Sequence, residues 1–295
     1  MSSPPPPPPT PEQVLAACAT APLPSILALL AACPSPPTDY QIAAAAVEHD
    51  RADIITHLLS TGSPIHCVCR RDVVDKRSIP ILEALLAAGW DINSDLGSYR
   101  GCALAAAMQG RAPPDFVAWL LDGCGADPNG PYGGVDHLGH PLRMAVQFAP
   151  EDEGVGDDAA AAAPPPPGAM GRMLLERGAR VDESRALHAA AEQGRLGWVR
   201  CLVEEWGADV DAEWFPEDWA GSTEVGLGIG RPLHYAAREG HAAVVRYLVG
   251  KGADVRRRDT KGRTPREVAE HFGHGEAAAF LRALEEDQGG SSEAE

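Results

Sequence analysis

The chain reads as a series of short amphipathic helices rather than as strands. In Val244–Val249 the aliphatic residues stand at the first, second, fifth and sixth positions, which is the spacing of one helical face. The run Pro232–Glu239, just upstream, is alanine-rich and is followed by Gly240. Gly252-Ala253-Asp254 follows the second run, and glycine there supplies the left-handed conformation that closes a helix. The pattern predicts two short helices joined by a tight turn.

This helix pair recurs along the chain. Moving 33 residues forward places His241 on His274, and moving 46 residues back places His234 on His188, with the surrounding alanines, glycines and leucines in register. The difference of 13 residues predicts an insertion at about 213–230. Such a period is typical of units that bury their apolar faces only against one another.

Weaker copies extend the series to about seven to eight helix-turn-helix units. A second insertion, acidic and proline-rich, lies at about 149–169. The first helix pair is predicted in Pro11–Thr20 and Pro24–Cys33, and the other weak copies are Ile54–Ile65, Ile81–Asn93, Cys102–Asn129 and the two halves His140–Leu142 and Met173–Ala179.

The units resemble the ankyrin repeat, whose pattern centres on Thr-Pro-Leu-His-x-Ala-Ala, Gly-His, a leucine pair and Gly-Ala-Asp. Pro232–Asp254 carries the resemblance most fully, and Leu187–Asp209 and Arg263–Leu284 carry much of it. Gly89–Asn93 is similar to divergent fungal members of the family. The resemblance implies an all-α ankyrin-repeat solenoid with short hairpin fingers, in which the fingers and the first helices line a concave face.

The chain accordingly divides into three predicted parts. A disordered polyproline tail at 1–10 precedes the ankyrin repeat domain at 11–286, and a disordered acidic tail at 287–295 follows it.

Charge narrows the classes of partner. The formal net charge of −17 argues against nucleic acid, because phosphate binding draws on clustered Lys and Arg. The one dense basic run, Arg256–Arg258 with Lys261, is interpreted as a solvated loop, and a nuclear-import or phosphate-binding patch is the alternative.

Cysteine usage and hydropathy predict the compartment. The seven cysteines are scattered without a Cys-x-x-Cys pair, the N-terminus has no secretory signal, and no apolar run reaches transmembrane length. These features predict a cytoplasmic or nuclear protein without a membrane partner.

His234 and His241 raise the question of a metal or proton-sharing site, because on one continuous helix their spacing would place both imidazoles on one face. The two positions vary independently between copies, since His234 corresponds to Glu267 in the last unit while His241 corresponds to His274. We therefore interpret His234 as a structural histidine that bonds the backbone of the adjacent loop. The cluster His66–Cys69 lacks a second ligand pair, so no metal or other cofactor is predicted.

No catalytic motif is evident in the chain. Gly226–Gly230 lacks the strand-then-helix context of a phosphate loop, and the acidic run Glu151–Glu153 stands in a segment that cannot easily position a general acid. The sequence therefore predicts a protein that is not an enzyme.

Two sets of residues are predicted to bind a partner protein. By analogy with the family, the residues at the end of each first helix face the groove, and they are Met108, Gln109, Gln147, Phe148, Glu192, Gln193, Arg238, Glu239, His271 and Phe272. The second set stands in the insertion before Arg231, where Trp214, Phe215 and Trp219 form an aromatic finger in a chain with only 5% aromatic residues.

The predicted function is non-enzymatic recognition of a protein by a monomeric scaffold. The net negative charge favours a partner with a basic surface. Charge reversal at Arg238 with Glu239 is expected to weaken capture while the fold survives. The alternatives are a chaperone or assembly factor for a basic client, and a ligand for SH3 or WW domains formed by Pro4–Pro9.

Overall fold

The structure, a computed structural model, describes residues 7–97, 101–130, 140–148, 168–213, 228 and 230–290. Over these residues it contains sixteen α-helices and no strand, arranged as eight helix pairs. Within these residues the chain forms two compact units, of which the first comprises 7–97 and 101–126 and the second comprises the described residues from 127 onward. The all-α architecture and the number of helix pairs agree with the sequence prediction.

The first unit holds four helix pairs. The members of each pair, and neighbouring pairs, pack side by side, with contacts between α1 and α3, α4 and α6, and α5 and α7. The helices are α1 (Pro11–Ala17), α2 (Leu23–Ala32), α3 (Asp39–Glu48), α4 (Ala52–Ser60), α5 (Arg70–Lys76), α6 (Ile79–Ala87), α7 (Ala103–Gln109) and α8 (Pro114–Ala118). α1 and α2 confirm the first helix pair predicted from the sequence.

The second unit also holds four pairs. Its first helices pack in the order α9, α11, α13, α15, and α12, α14 and α16 pack behind them. The helices are α9 (Pro141–Gln147), α10 (Ala169–Glu176), α11 (Ala186–Glu192), α12 (Leu196–Arg200), α13 (Pro232–Glu239), α14 (Ala242–Gly250), α15 (Pro265–Phe272) and α16 (Gly275–Gly290). The last helix extends four residues past the expected domain boundary at Glu286.

Alanine allows the first helices of the second unit to approach closely. Ala190, Ala236, Ala237 and Ala269 are completely buried, and they belong to first helices that pack against one another. A methyl side chain removes apolar surface from water without holding the two backbones apart, so the alanine-rich pattern of the sequence becomes the packing surface.

Three first helices begin with a capping box. Thr264 accepts a hydrogen bond from the Glu267 backbone N–H at 3.3 Å, and the Glu267 carboxylate accepts one from the Thr264 N–H at 2.8 Å. This reciprocal arrangement satisfies two backbone donors that the helix itself leaves without acceptors. Thr10 with Gln13 and Thr38 with Gln41 form the same capping box at α1 and α3.

The fingers that connect successive pairs start with an identical turn. The carboxylates of Asp91, Asp127, Asp209 and Asp254 each accept a hydrogen bond, at 2.8–2.9 Å, from the backbone N–H two residues further on. This is an Asx turn, which gives the aspartate of Gly-Ala-Asp a physical role. Within the described residues the fingers are built from such turns rather than from the strands of a β-hairpin.

A second set of bonds ties each finger to the following one. The Asn93 side-chain amide donates to the Gly125 carbonyl at 3.2 Å, and the Asn129 amide donates to the Gly178 carbonyl at 2.8 Å. The Asp211 carboxylate accepts from the Asp254 backbone N–H at 3.1 Å. An Asn or Asp two residues after the turn aspartate therefore joins neighbouring repeats, where a repeat is a helix pair with its finger.

Two second helices contain a π-helical turn. α8 continues as a π-helix at Trp119–Gly123 and α12 continues as one at Cys201–Glu205. In both repeats one extra residue separates the leucine position from Gly-Ala-Asp. The backbone hydrogen bond that closes the helix therefore spans six residues: the Ala126 N–H donates to the Leu120 carbonyl, and the Ala208 N–H donates to the Leu202 carbonyl. The corresponding bond from Ala253 to Leu248 spans five. The extra residue is absorbed as a bulge.

Glycine ends α11 and α13 for a reason that involves the next repeat. Gly194 and Gly240 have φ values of +68° and +77°, in the left-handed region. A Cβ at Gly194 would collide with the ring of His241, and one at Gly240 would collide with the ring of His274. Each glycine therefore provides both the turn and the space for the following histidine.

Replacement of Gly240 with Ala should destabilise the second unit. The alanine would occupy a left-handed conformation and push against His274, for an expected cost of about 1–3 kcal/mol. Urea unfolding followed by circular dichroism measures this cost.

The matched control is Gly250→Ala, because Gly250 lies within α14 and a Cβ there would meet nothing within 4 Å. This variant should be neutral or stabilise by up to about 1 kcal/mol. Equal destabilisation by the two substitutions would contradict the proposed role of Gly240.

Candidate protein-binding surface

The predicted groove residues are divided between the two units. Met108 and Gln109 end α7 in the first unit, and Met108 is buried with 5% of its surface exposed. The other eight lie in the second unit, and all except Arg238 are half-buried or exposed. They are Gln147, Phe148, Glu192, Gln193, Arg238, Glu239, His271 and Phe272. Trp214, Phe215 and Trp219 lie outside the described residues, as do Pro4–Pro6 of the polyproline run.

The ends of neighbouring first helices are linked in the second unit. The Arg195 guanidinium, just after α11, donates to the Gln147 carbonyl at the end of α9 at 3.5 Å. His241 Nε2 lies 2.9 Å from the Glu192 carbonyl, which connects the end of α13 to that of α11. His271 and Phe272 at the end of α15 contact each other edge to face, with ring centroids 4.9 Å apart. Because α15 packs against α13, its end continues the row. We call this row the helix-end surface: 147–148, 192–193, 239 and 271–272.

Arg238 is a structural residue of this row rather than an exposed contact. Only 6% of its surface is exposed, and its guanidinium donates to the Glu192 carboxylate at 2.6 Å and to the Glu239 carboxylate at 2.9 Å. The guanidinium also stands over the Tyr235 ring, 4.7 Å from its centroid. A charge reversal here would place a buried carboxylate against Glu192, so we expect that change to destabilise the fold rather than to leave it intact.

Tyr235 is the centre of a buried cluster that the sequence did not indicate. Its hydroxyl oxygen accepts a hydrogen bond from the Arg185 guanidinium at 3.1 Å, and its ring contacts His188 edge to face with centroids 5.6 Å apart. Because Arg185 and His188 belong to the preceding repeat, Tyr235 joins α11 to α13. The feature of the sequence that could have revealed this cluster is the aromatic residue at the variable position of Leu-His-x-Ala-Ala, where α11 has alanine.

The structure confirms that His234 is structural. Its Nδ1 accepts a hydrogen bond from the Arg231 backbone N–H at 3.2 Å, so Nε2 carries the proton and donates to the Arg263 carbonyl in the next finger, also at 3.2 Å. Burial lowers its pKa to about 4. His241 instead bonds to the backbone of the preceding repeat, so the two imidazoles serve different contacts. Across the described part of the chain, no three potential metal ligands converge.

Two other histidines are buried in the same neutral state. Burial lowers the pKa of His140 to about 3, and burial followed by the charge of Arg185 lowers that of His188 to about 3. A neutral imidazole in these positions avoids the cost of a buried charge.

The first unit contains a cleft that no predicted residue lines. It has a volume of about 530 Å³ and lies between α2, α3 and α4. Leu27, Leu30, Ile42 and Leu58 form its apolar walls, and Asp39 and Ser63, joined by a hydrogen bond of 2.7 Å, lie at its polar edge.

Comparison with protein families identifies the class. Residues 182–213 match the ankyrin repeat, and residues 224–289 match the family described as ankyrin repeats in three copies. Together with the helix pairs of the described residues, these matches show that the chain contains ankyrin repeats at 182–213 and 224–289. The resemblance inferred from the sequence is thereby confirmed.

Three characterised proteins are similar to parts of the chain. A homologue of transient receptor potential cation channel subfamily A member 1 from Caenorhabditis elegans is 34% identical over 119 residues, which cover 39% of this chain and 9% of that protein. Potassium channel AKT1 from Arabidopsis thaliana is 37% identical over 93 residues, which cover 32% of this chain and 9% of the channel. Human cyclin-dependent kinase inhibitor 2A is 42% identical over 64 residues, which cover 22% of this chain and 41% of the inhibitor. The chain therefore spans less than half of each of these relatives.

Among the residues that the structure describes, no helix combines the length and the apolar character needed to cross a bilayer.

The buried neutral histidines predict a pH-dependent stability. Between the unfolded pKa of 6.5 and the folded pKa of about 4, His234 binds a proton only when the protein unfolds, so stability falls as the pH is lowered through this range. Each such histidine contributes up to about 1.4 kcal/mol per pH unit to this loss of stability. The variant His234→Gln should lose less stability between pH 7 and pH 5 than the wild type, as measured by urea unfolding.

His271→Gln is the control, since His271 is an exposed residue of the same unit. It should keep the wild-type pH dependence. A His234→Gln variant with the full wild-type slope would show that folding does not lower the pKa of this imidazole.

A double-mutant cycle tests the structural role of Arg238. Arg238→Met and Glu192→Gln should each destabilise the protein by about 1–3 kcal/mol, and the double variant should lose less than the sum because the two groups act as a pair. The exposed pair Arg180 and Glu183, 2.9 Å apart, is the control and should show no measurable coupling. Additive effects at Arg238 and Glu192 would contradict the pairing.

Proposed function

We propose that this protein is a non-enzymatic scaffold that binds a partner protein through the helix-end surface of its second unit. The observation that carries the proposal is the exposure of Phe148. Of the large hydrophobic residues that the structure describes, Phe148 and Tyr40 are the exposed ones, at 38% and 60%. Phe148 stands in the row of helix ends, and an aromatic side chain among polar neighbours is the composition of a protein-binding anchor.

The rigidity of the surface supports recognition. Glu192 is fixed by Arg238, and the carbonyl groups of Gln147 and Glu192 are bonded to side chains of neighbouring repeats. Side chains presented from a preorganised framework lose less conformational entropy when a partner binds.

The charge of the surface supports a partner with a basic face. Glu192 and Glu239 both lie in the row, and 43% of the Glu239 side chain is exposed. Opposite charges on the partner would accelerate association and fix the orientation of docking. The aromatic finger at Trp214, Phe215 and Trp219 is proposed as a second contact for the same partner. A chaperone for a basic client would use the same features.

A cytoplasmic or nuclear setting is proposed as well. All seven cysteines are free thiols, and those at positions 18, 33, 67, 102 and 201 are buried. Buried thiols of this kind suit a reducing compartment.

Affinity capture with matched variants tests the proposal. The variant Phe148→Ser with Glu239→Lys removes the exposed aromatic ring and reverses one charge on the helix-end surface. The control, Tyr40→Ser with Glu176→Lys, makes the same two changes at exposed residues outside it. Quantitative mass spectrometry should show a partner recovered with the wild type and the control but reduced about tenfold with the surface variant.

Two outcomes would contradict the assignment. Equal recovery of the partner with both variants would show that the helix-end surface does not take part in the interaction. Loss of the same partner on deletion of Ser2–Pro9 alone would instead identify the polyproline segment as the ligand.

A further inference from the structure

The finger between α14 and α15, which we call the final finger (Asp254–Arg263), breaks the pattern of the earlier ones. Two residues after the turn aspartate, the preceding fingers have Asn93, Asn129 or Asp211, each bonded to the following repeat. The final finger has Arg256 at this position. Glu213 stands four residues after the turn aspartate Asp209 in the preceding finger, and the corresponding position of the final finger is Arg258. Positions that join repeats elsewhere carry positive charge here.

Three arginines of the final finger are exposed to solvent. Arg256, Arg257 and Arg258 are all exposed, with 57% of the Arg257 side chain and 61% of the Arg258 side chain accessible. Arg257 lies 3.2 Å from Asp254, and Arg258 lies 3.5 Å from Glu267. The Arg256 guanidinium forms no ion pair with any residue in the described ranges. Exposed pairs such as these contribute little to stability. Carboxylates of a partner can therefore replace Asp254 and Glu267 as the acceptors at a small cost in folding free energy.

The base of the finger is rigid. Val255 and Asp259 are buried, and the Asp259 carboxylate accepts hydrogen bonds from the Lys261 and Arg263 backbone N–H groups at 2.8 and 2.9 Å. The Arg263 guanidinium donates to the same carboxylate at 2.7 Å, and His234 holds the Arg263 carbonyl. The arginines therefore stand on a fixed turn and keep their relative positions.

We propose that the final finger is a second interaction surface, which binds an extended acidic peptide segment of a partner protein through Arg256, Arg257, Arg258 and Lys261. Guanidinium groups form bidentate hydrogen bonds with carboxylates, and a run of them along one turn matches carboxylates spaced along an extended chain. This surface differs in charge and position from the helix-end surface, and the proposal does not depend on the function assigned to that surface.

An acidic peptide fits the finger better than a nucleic acid does. Nucleic acid carries closely spaced phosphates along its whole length, and its binding draws on an extended surface of clustered Lys and Arg. Asp254 and Glu267 flank the arginines within the finger and at the start of α15, which limits the basic surface to a few residues. A short peptide needs no more than that.

Fluorescence anisotropy with the full chain tests the proposal. The probe is a fluorescein-labelled peptide of eight glutamates, titrated at low and at physiological salt. The variant Arg256→Glu with Arg257→Glu should weaken binding about tenfold or more, because two attractive charges become repulsive. The control, Arg70→Glu with Arg71→Glu, reverses two adjacent arginines in the first unit and should bind as the wild type does.

The remaining outcomes decide between interpretations. Equal weakening by both double variants would show a diffuse electrostatic effect and overturn the proposal. Tighter binding of a labelled twelve-nucleotide uridine RNA than of the peptide would overturn it in favour of a nucleic-acid surface. Unchanged peptide affinity in the Phe148→Ser, Glu239→Lys variant would separate the final finger from the helix-end surface. Circular dichroism confirms that each variant is folded.

Discussion

Short helices that cannot stand alone are the constraint on which the structure depends. α11 and α13 have seven and eight residues, which is below the length at which an isolated helix is stable in water. Each helix must therefore be held by its neighbours. Alanine at the contacts lets them approach closely, and bonds from Asn129, Asp211 and His234 to the following repeat fix their spacing. Stability is in this sense shared between adjacent repeats.

The sequence predicted the framework because its elements depend on local and repeated signals. Gly-Ala-Asp marks a helix end and a turn wherever it occurs, and the structure shows an Asx turn at Asp127, Asp209 and Asp254. The role of His234 also followed from the comparison of copies, because a residue that recurs in register serves the framework. The π-helical turns were visible in principle as one additional residue before Gly-Ala-Asp, at Cys124 and Trp206.

The candidate site was less predictable because its side chains are directed by neighbours distant in sequence. Arg238 occupies a position that faces the groove by analogy, but Glu192, 46 residues earlier, draws its guanidinium into the row of helix ends. The same applies to Tyr235, whose surroundings are set by Arg185. Register predicts where a Cα atom lies. It does not predict which charge across the interface a long side chain will meet, or whether that meeting buries it.

The two π-helical turns have a consequence for how such a chain can change. Insertion of one residue into a regular helix rotates everything after it by about 100° and would move the apolar face away from its neighbour. At Trp119–Gly123 and Cys201–Glu205 the bulge takes up that rotation, and the following Ala126 and Ala208 still close the helix against the same leucine position. A codon gained or lost in this part of a repeat is therefore compatible with the fold. Second-helix ends are places where duplicated repeats can diverge in length before they diverge in structure.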